Sequence, residues 1–332
     1  MVRQINPGLA RLWISDSARQ FGVHGEVLTN LKASELRLLE YLEAGISNSQ
    51  VQHLGQMASA DADTTQDLLQ RLNGVLSKTS SFLPQLQETE IERRFAEIMR
   101  LYLLDVEDPA ATLRARAKLK IFISDLNRTG LTIAKALSAS AIKGVFTSDH
   151  SRVSESDTLD MGYPKESLGR QRVGSIKVNE PNLEIRLHSR ASTAFDQCDL
   201  AILISNDVVQ PGSYQTWMSR DVPHISICYT ESGVEISPIV IPGVTACLAC
   251  VEIHRISLNA NWVSIATQLS NLERDLADSA MMLFASGIVM NKALNYLDKY
   301  QPDLASETTR MTRSGEIETL TLDSTNCGCR IE

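Results

Sequence analysis

The sequence predicts an α/β fold. A doubly wound parallel sheet forms its centre, a winged-helix-like module precedes it, and a zinc-bound C-terminal region closes it. Three observations carry this. From Lys118 onward, short apolar strands alternate with helical stretches. Before that, a hairpin pattern is followed by three short helices whose apolar residues fall on one stripe. Near the end, two close cysteine pairs stand far apart from each other.

At 332 residues the chain exceeds one ordinary core of roughly 100–200 residues, so several domains are expected. A 43% hydrophobic and 22% charged composition excludes a disordered, collagen-like or disulfide-stapled protein. The net charge of −8 and the 5% aromatic content argue against a general nucleic-acid binder. No apolar run is long enough to cross a bilayer, and the opening MVRQINPGLARLW has no signal-peptide core. The expectation is a cytoplasmic protein that engages neither membrane nor nucleic acid.

Residues 1–82 form the first module. Leu9–Ile14 and Arg19–Val23 read as strands, with Ser15, Asp16 and Ser17 supplying turn chemistry between them. Three helices follow. Ser34–Glu43 carries Leu36, Leu39 and Leu42 with Leu38 beside them; Ser49–Ala58 carries Val51, Leu54 and Met57; Thr64–Leu76 carries Leu68, Leu69, Leu72 and Val75. Winged helices often bind DNA, yet this module has seven Lys or Arg residues against eight Asp or Glu. Its third helix offers one arginine and one aspartate, too little to neutralise phosphates. Docking of a peptide or partner protein, or simple packing on neighbouring elements, fits the charge better.

Residues 83–117 read as a linker and packing helix, IERRFAEIMRLYLLD, with Pro84 and Pro109 at its limits. Residues 118–236 form the Rossmann-like domain. KLKIFIS is a strand, SDLNRTG a turn, LTIAKALSAS a helix, and KGVFTSD a strand ending in an acid. EIRLHSR, DLAILIS and PHISICYT read as further strands, with a helix around Ser213–Ser219. Residues 237–332 hold a long helix, Asp275–Lys299, and a polar tail ending CGCRIE.

The sharpest signal is Cys247-Leu-Ala-Cys250 with Cys327-Gly-Cys329. Structural zinc takes four tetrahedral ligands, and thiolates at short spacing can supply two from each tight turn. The 76 intervening residues form an excursion that returns to close the site. Cys198 and Cys228 lie in or beside apolar strands and read as inert core.

A strand–turn–helix–strand ending in aspartate, a second such unit, then CxxC and a late cysteine pair resemble the ThiF/MoeB superfamily of ubiquitin-activating-like adenylyltransferases, over residues 118–332. SDHSRVSESD with SLGRQRV, DVPHISICYTESGVEISPIVIPGVTACLACVEIHR and the terminal NCGCR resemble, more narrowly, actinobacterial ThiF-like partners of the azole-peptide (TOMM) cyclodehydratases. The N-terminal RLWISDSARQFGV also fits that subgroup. The resemblance implies adenylation of a C-terminal carboxylate with ATP and magnesium. It also implies a homodimer, an N-terminal domain that holds leader peptides, and a YcaO-type ATP-using enzyme as partner.

The superfamily's nucleotide parts are matched unevenly. Two of the three phosphate-turn glycines are replaced by Asp125 and Asn127, and Gly130 remains. Such glycines let backbone N–H groups approach phosphate at a helix N-terminus, whereas Asp125 adds a negative charge there. Asp149 matches the ribose-binding acid, Arg172 stands in the place of the phosphate lysine, and Asp207 falls near the metal-binding aspartate. The Asn-x-x-Arg-Gln block has no counterpart in SESDTLDMGYPKES. The expectation is a degenerate scaffold that keeps zinc, does not use ATP and magnesium, and binds a peptide or partner protein. An active adenylyltransferase is the alternative, and a DNA-binding regulator the second alternative.

Overall fold

A computed structural model describes residues 2–25, 27–78, 88–188, 198–299, 306–323 and 327–329. The chain divides into two compact units, Met1–Arg114 and Ala115–Glu332.

The first unit opens with strands β1 (Val2–Arg3), β2 (Arg11–Ser15), β3 (Ala18–Phe21) and β4 (Val27–Leu28). Helix α1 (Ala33–Ala44), strand β5 (Ile46–Ser47) and helices α2 (Val51–Met57) and α3 (Ala62–Arg71) follow. The hairpin read from the sequence is present as β2 and β3. It gains β4 to form an antiparallel sheet in the order β2-β3-β4, while β1 pairs with β5. The two-residue strands are too short to show any alternation. Ile5, Phe21, Leu38, Leu42, Leu68 and Leu72 form the centre of this unit's core.

Helix α1 begins with a carboxylate: Glu35 accepts from the Lys32 N–H at 2.7 Å and from Arg71 Nη1 at 3.0 Å. Arg71, the arginine of α3, also donates to the Thr29 carbonyl at 2.9 Å. It is committed to this internal network.

The expected packing helix is two helices, α4 (Glu88–Arg93) and α5 (Phe95–Leu103), because the backbone breaks at Arg94, whose side chain is buried and donates to Glu90. Helix α6 (Pro109–Arg116) leads into the second unit.

That unit contains β6 (Lys120–Ile123), α7 (Arg128–Ala139), β7 (Gly144–Thr147), α8 (Arg172–Asn179), β8 (Glu184–Leu187), β9 (Leu200–Asn206), α9 (Pro211–Met218) and β10 (His224–Thr230). Strand β11 (Gly233–Ile236), helices α10 (Leu248–Leu258), α11 (Trp262–Leu269) and α12 (Ser279–Leu297), and strands β12 (Glu307–Thr312) and β13 (Ile317–Thr321) complete it. One eight-stranded sheet runs in the order β13-β12-β11-β10-β9-β6-β7-β8. Strands β8, β7, β6, β9 and β10 are parallel, as the alternating pattern requires.

The sequence reading of a purely parallel sheet is corrected on the other side. Strands β11, β12 and β13 add antiparallel, so the sheet is mixed. The sequence shows only a polar tail here because β13 is exposed along its whole length and carries no apolar run.

Strand order reverses between β6 and β9. This switch point opens a crevice at the carboxyl ends of those strands, where open α/β sheets bind ligands. Helices α7 and α12 cover one face, burying Leu131, Ala134 and Leu137 against Met281, Ala285 and Val289. Arg116 clamps this layer. It is fully buried, grips both Asp298 oxygens at 2.9 and 2.6 Å, and donates to the Ser140 carbonyl at 3.1 Å.

His224, at the start of β10, is completely buried. Its Nδ1 lies 3.0 Å from the Val222 carbonyl, and Nε2 has no partner among the described residues. Burial pushes its pKa down to about 4. The unfolded chain therefore takes up this proton near pH 6.5 and the folded chain only near pH 4. The contribution is fully present above about pH 6.5 and is lost as pH falls toward 4, by about 3 kcal/mol. Urea unfolding at pH 7 and pH 4.5 will show this acid loss, and His224→Gln will flatten it. An unchanged slope in that variant would refute the assignment.

Candidate functional site

The crevice begins where β6 ends. Ser124, Asp125 and Leu126 turn the chain, and Asn127 caps α7 by accepting from the Gly130 N–H at 3.2 Å. Asp125 Oδ1 accepts from the Asn127 N–H at 2.7 Å, and Asp149 Oδ2 accepts from the Leu126 N–H at 2.9 Å. The N–H groups of Leu126, Asn127 and Gly130 at the start of α7 are thus taken by the chain's own side chains. Gly130 has a local reason to be glycine: a Cβ there would stand 1.9 Å from the Asp125 carbonyl oxygen.

Arg172, at the first residue of α8, reaches into the same crevice. Its Nη1 donates to Asp125 at 2.9 Å and to Asp149 at 3.0 Å, while Nε and Nη2 donate to Asp157 at 3.0 and 2.9 Å. The Asp149 and Asp157 carboxylates are both buried. Burial opposes ionisation of Asp149, but donors from Ser151, Leu126 and Arg172 prevail and hold it below the usual carboxylate range. Asp125 moves the other way. Burial lifts it, Arg172 pulls against this, and Asp149 and Asp157 add to the rise.

The structure therefore brings together Asp125, Asn127, Gly130, Asp149 and Arg172, all singled out in the sequence. It adds two residues that were missed: Asp157, which also accepts from the Ser154 N–H at 2.9 Å, and Tyr163, whose hydroxyl donates to the Leu126 carbonyl at 2.6 Å. Both come from the segment that lacks the superfamily's Asn-x-x-Arg-Gln block. A serine three residues before Asp157 was the one local signal, a turn motif.

Asp207 belongs to a different pair. It follows β9 in a left-handed conformation, φ 62°, and both its oxygens are gripped by Arg274, which also donates to Glu231 at 2.6 Å. Arg274 lies 67 residues away in sequence, so reading the chain alone did not suggest it.

The four cysteines meet. Cys247 caps α10, Cys250 lies in its first turn, and Gly328 takes a left-handed φ of 66° between Cys327 and Cys329. Sulfur separations are 3.9 Å for Cys247–Cys250, 3.5 Å for Cys247–Cys327 and 3.5 Å for Cys250–Cys329. All four sulfurs lie within 4.8 Å of one another, and none is in a disulfide. Four sulfurs about 2.3 Å from one ion stand about 3.8 Å apart at a tetrahedron's edges, so the cluster could hold a metal ion.

No protein-family model and no curated protein matches the sequence. Solved structures do match over the whole chain. MccB of E. coli with ATP superposes with a TM-score of 0.72 at 11% identity, covering 100% of each chain. The microcin C7 biosynthetic enzyme MccB in complex with N-formylated MccA gives 0.70 at 10% identity, covering 99% of each chain. PaaA gives 0.67 at 14% identity, covering 95% of this chain and 99% of the other. The chain shares its fold with these structures, in keeping with the fold that the resemblance to the ThiF/MoeB superfamily implies.

Proposed function

We propose that this protein is a non-catalytic ThiF-like scaffold that binds a peptide or partner protein through its N-terminal, winged-helix-like module. The observation that carries the reading is the filled crevice. The Leu126, Asn127 and Gly130 N–H groups of the phosphate turn serve Asp149, Asp125 and Asn127, and Arg172 is spent on three carboxylates. An anion entering there meets acids already in place, and like charges about 4 Å apart near a surface repel by roughly 1–4 kcal/mol.

Docking is supported by β2, an edge strand exposed along its full length, with Trp13 75% and Ile14 54% exposed. Unpaired edge N–H and C=O groups can accept an added strand, and alternating side chains then give specificity. Arg71 is committed to Glu35 and Thr29, which weighs against DNA reading by α3. In this proposal residues 1–82 are the docking module, 83–117 the linker and packing helix, 118–236 the Rossmann-like body, and 237–332 a region stapled by one structural zinc on Cys247, Cys250, Cys327 and Cys329. An all-thiolate, closed donor set suits structural zinc. A YcaO-type enzyme is the partner that the resemblance implies, and a homodimer the assembly.

Whole-chain similarity to MccB, solved with ATP, favours the second reading, an adenylyltransferase with an altered phosphate turn. Calorimetry with ATP and magnesium separates the two. No saturation at millimolar nucleotide and no pyrophosphate exchange are expected, and a double Asp125→Gly, Asn127→Gly variant should gain measurable ATP binding. A micromolar Kd for the unaltered protein would establish the adenylyltransferase reading instead. Once a peptide partner is in hand, Trp13→Pro in β2 should weaken its binding at least tenfold with the fold intact, and undiminished binding would reject the edge as the docking surface.

A further inference from the structure

We infer that the cleft between α9 and the α10–α11 hairpin binds an organic ammonium group carried on an apolar stem. The cleft has a volume of about 540 Å³, within the range of small-molecule sites, roughly 300–1,000 Å³. Val209, Tyr214, Ile256, Val263 and Ala266 form apolar walls, and Glu252 is the sole charged residue lining it among those described.

The charge balance around Glu252 favours a cation. Its oxygens accept from Arg255 at 2.9 Å and from the Trp262 indole N–H at 2.6 Å, but Arg255 is shared with Glu235. Arg310 adds a third guanidinium: its buried Nε lies 3.9 Å from Glu235. On the other side of Trp262, a second cleft of about 350 Å³ is lined by Asp207, Glu231 and Glu235 against Arg255 and Arg274. Four carboxylates thus share three guanidinium groups, and one negative charge is left in excess around the two clefts.

Aromatic rings complete the recognition. The indole of Trp262 lines both clefts and already holds the Arg255 guanidinium 5.0 Å from its ring centre. An ammonium in the larger cleft meets the same ring and Glu252, with Tyr214 beside it, while its stem covers Val263 and Ala266. This site owes nothing to the docking edge of β2 or to the filled crevice.

Two sources could present such a group: a free amine, or a lysine side chain of a peptide. Titration calorimetry of the full-length protein with phenethylammonium, neutral phenethyl alcohol and 3-phenylpropionate tests the chemistry. The ammonium compound is expected to bind about tenfold more tightly than the alcohol, and the carboxylate not at all. A second arm uses Nα-acetyl-lysine methylamide. Binding of this compound with affinity equal to the free amine makes a peptide side chain the source, and binding of phenethylammonium alone makes it a free amine; both support the site. Glu252→Gln should remove the preference for the cation. Ala266→Trp, which fills the cleft from an exposed helix, should abolish binding with the Tm unchanged, and it keeps the test decisive if the Glu252 variant does not fold. Equal affinity for the ammonium compound and the alcohol, no binding of either amine, or full binding by the folded Ala266→Trp variant would overturn the inference.

Discussion

Replacing Cys250 with serine is expected to strip the metal from the protein and destabilise it by several kcal/mol, because the free energy of metal binding is linked to folding. Cys250 is fully buried in the first turn of α10, and its sulfur lies within 4.8 Å of the other three. The cluster ties the start of α10 to residues 327–329, after an excursion that includes α11, α12, β12 and β13. Around it pack Tyr214, Trp217, Ala246, Leu248 and Leu322, so an uncoordinated set of thiols loosens a core. At about 2–4 °C per kcal/mol for a unit of this size, the Tm should fall by about 10 °C, and a strong chelator should produce the same fall in the unaltered protein. Elemental analysis should find about one zinc per chain before substitution. Cys198→Ser is the control, since Cys198 lies outside the cluster and should shift the Tm little. A protein that holds no zinc as purified, or whose Tm neither the chelator nor Cys250→Ser lowers, would refute the zinc assignment.

The cysteine cluster was legible because thiols at spacings of three and two residues have few reasons to recur in a chain without disulfides. The parallel strands were legible for a different reason: β9 and β10 are buried on both faces, β9 opens on the unbroken apolar run LAILI, and β10 is rich in apolar residues. Strand β13 escaped notice because an edge strand with both faces in water carries Glu and Thr as readily as a loop does, and β12 beside it is only half-buried and carries Glu, Thr and Arg. In the crevice, Asp125 and Asn127 could be flagged against a glycine pattern, since that comparison is local. The pairings that fill the site could not. Arg172 meets Asp125 across 47 residues and Asp149 across 23, and Arg274 meets Asp207 across 67. No periodicity reports a contact made by a turn of the sheet.

Removing the Arg172 guanidinium is expected to cost about 3–5 kcal/mol, the range for breaking a buried ion pair by deleting one partner. Three carboxylates converge on it within 3.0 Å, and two of them have no access to water that could replace it. In Arg172→Ala the three negative charges would face one another. Asp125, already raised by burial and its acid neighbours, then takes up a proton more readily. The loss relative to the unaltered protein should then shrink as pH falls from 7 toward 5. Asp149 in the unaltered protein behaves in the opposite sense. Asp149 is held below its ordinary value, so its contribution is present above about pH 4 and is lost as pH falls through the folded pKa. Arg172→Lys should recover only part of the loss, because one ammonium on a flexible stem cannot reproduce the planar fork that serves three acceptors. Urea unfolding of the three proteins at pH 5 and pH 7 measures all of this. A loss below about 1 kcal/mol in Arg172→Ala, equal at both pH values, would mean that the ionic cluster does not hold the crevice closed. The site would then be open to an anionic ligand, and the case for a scaffold without ATP chemistry would lose its main support.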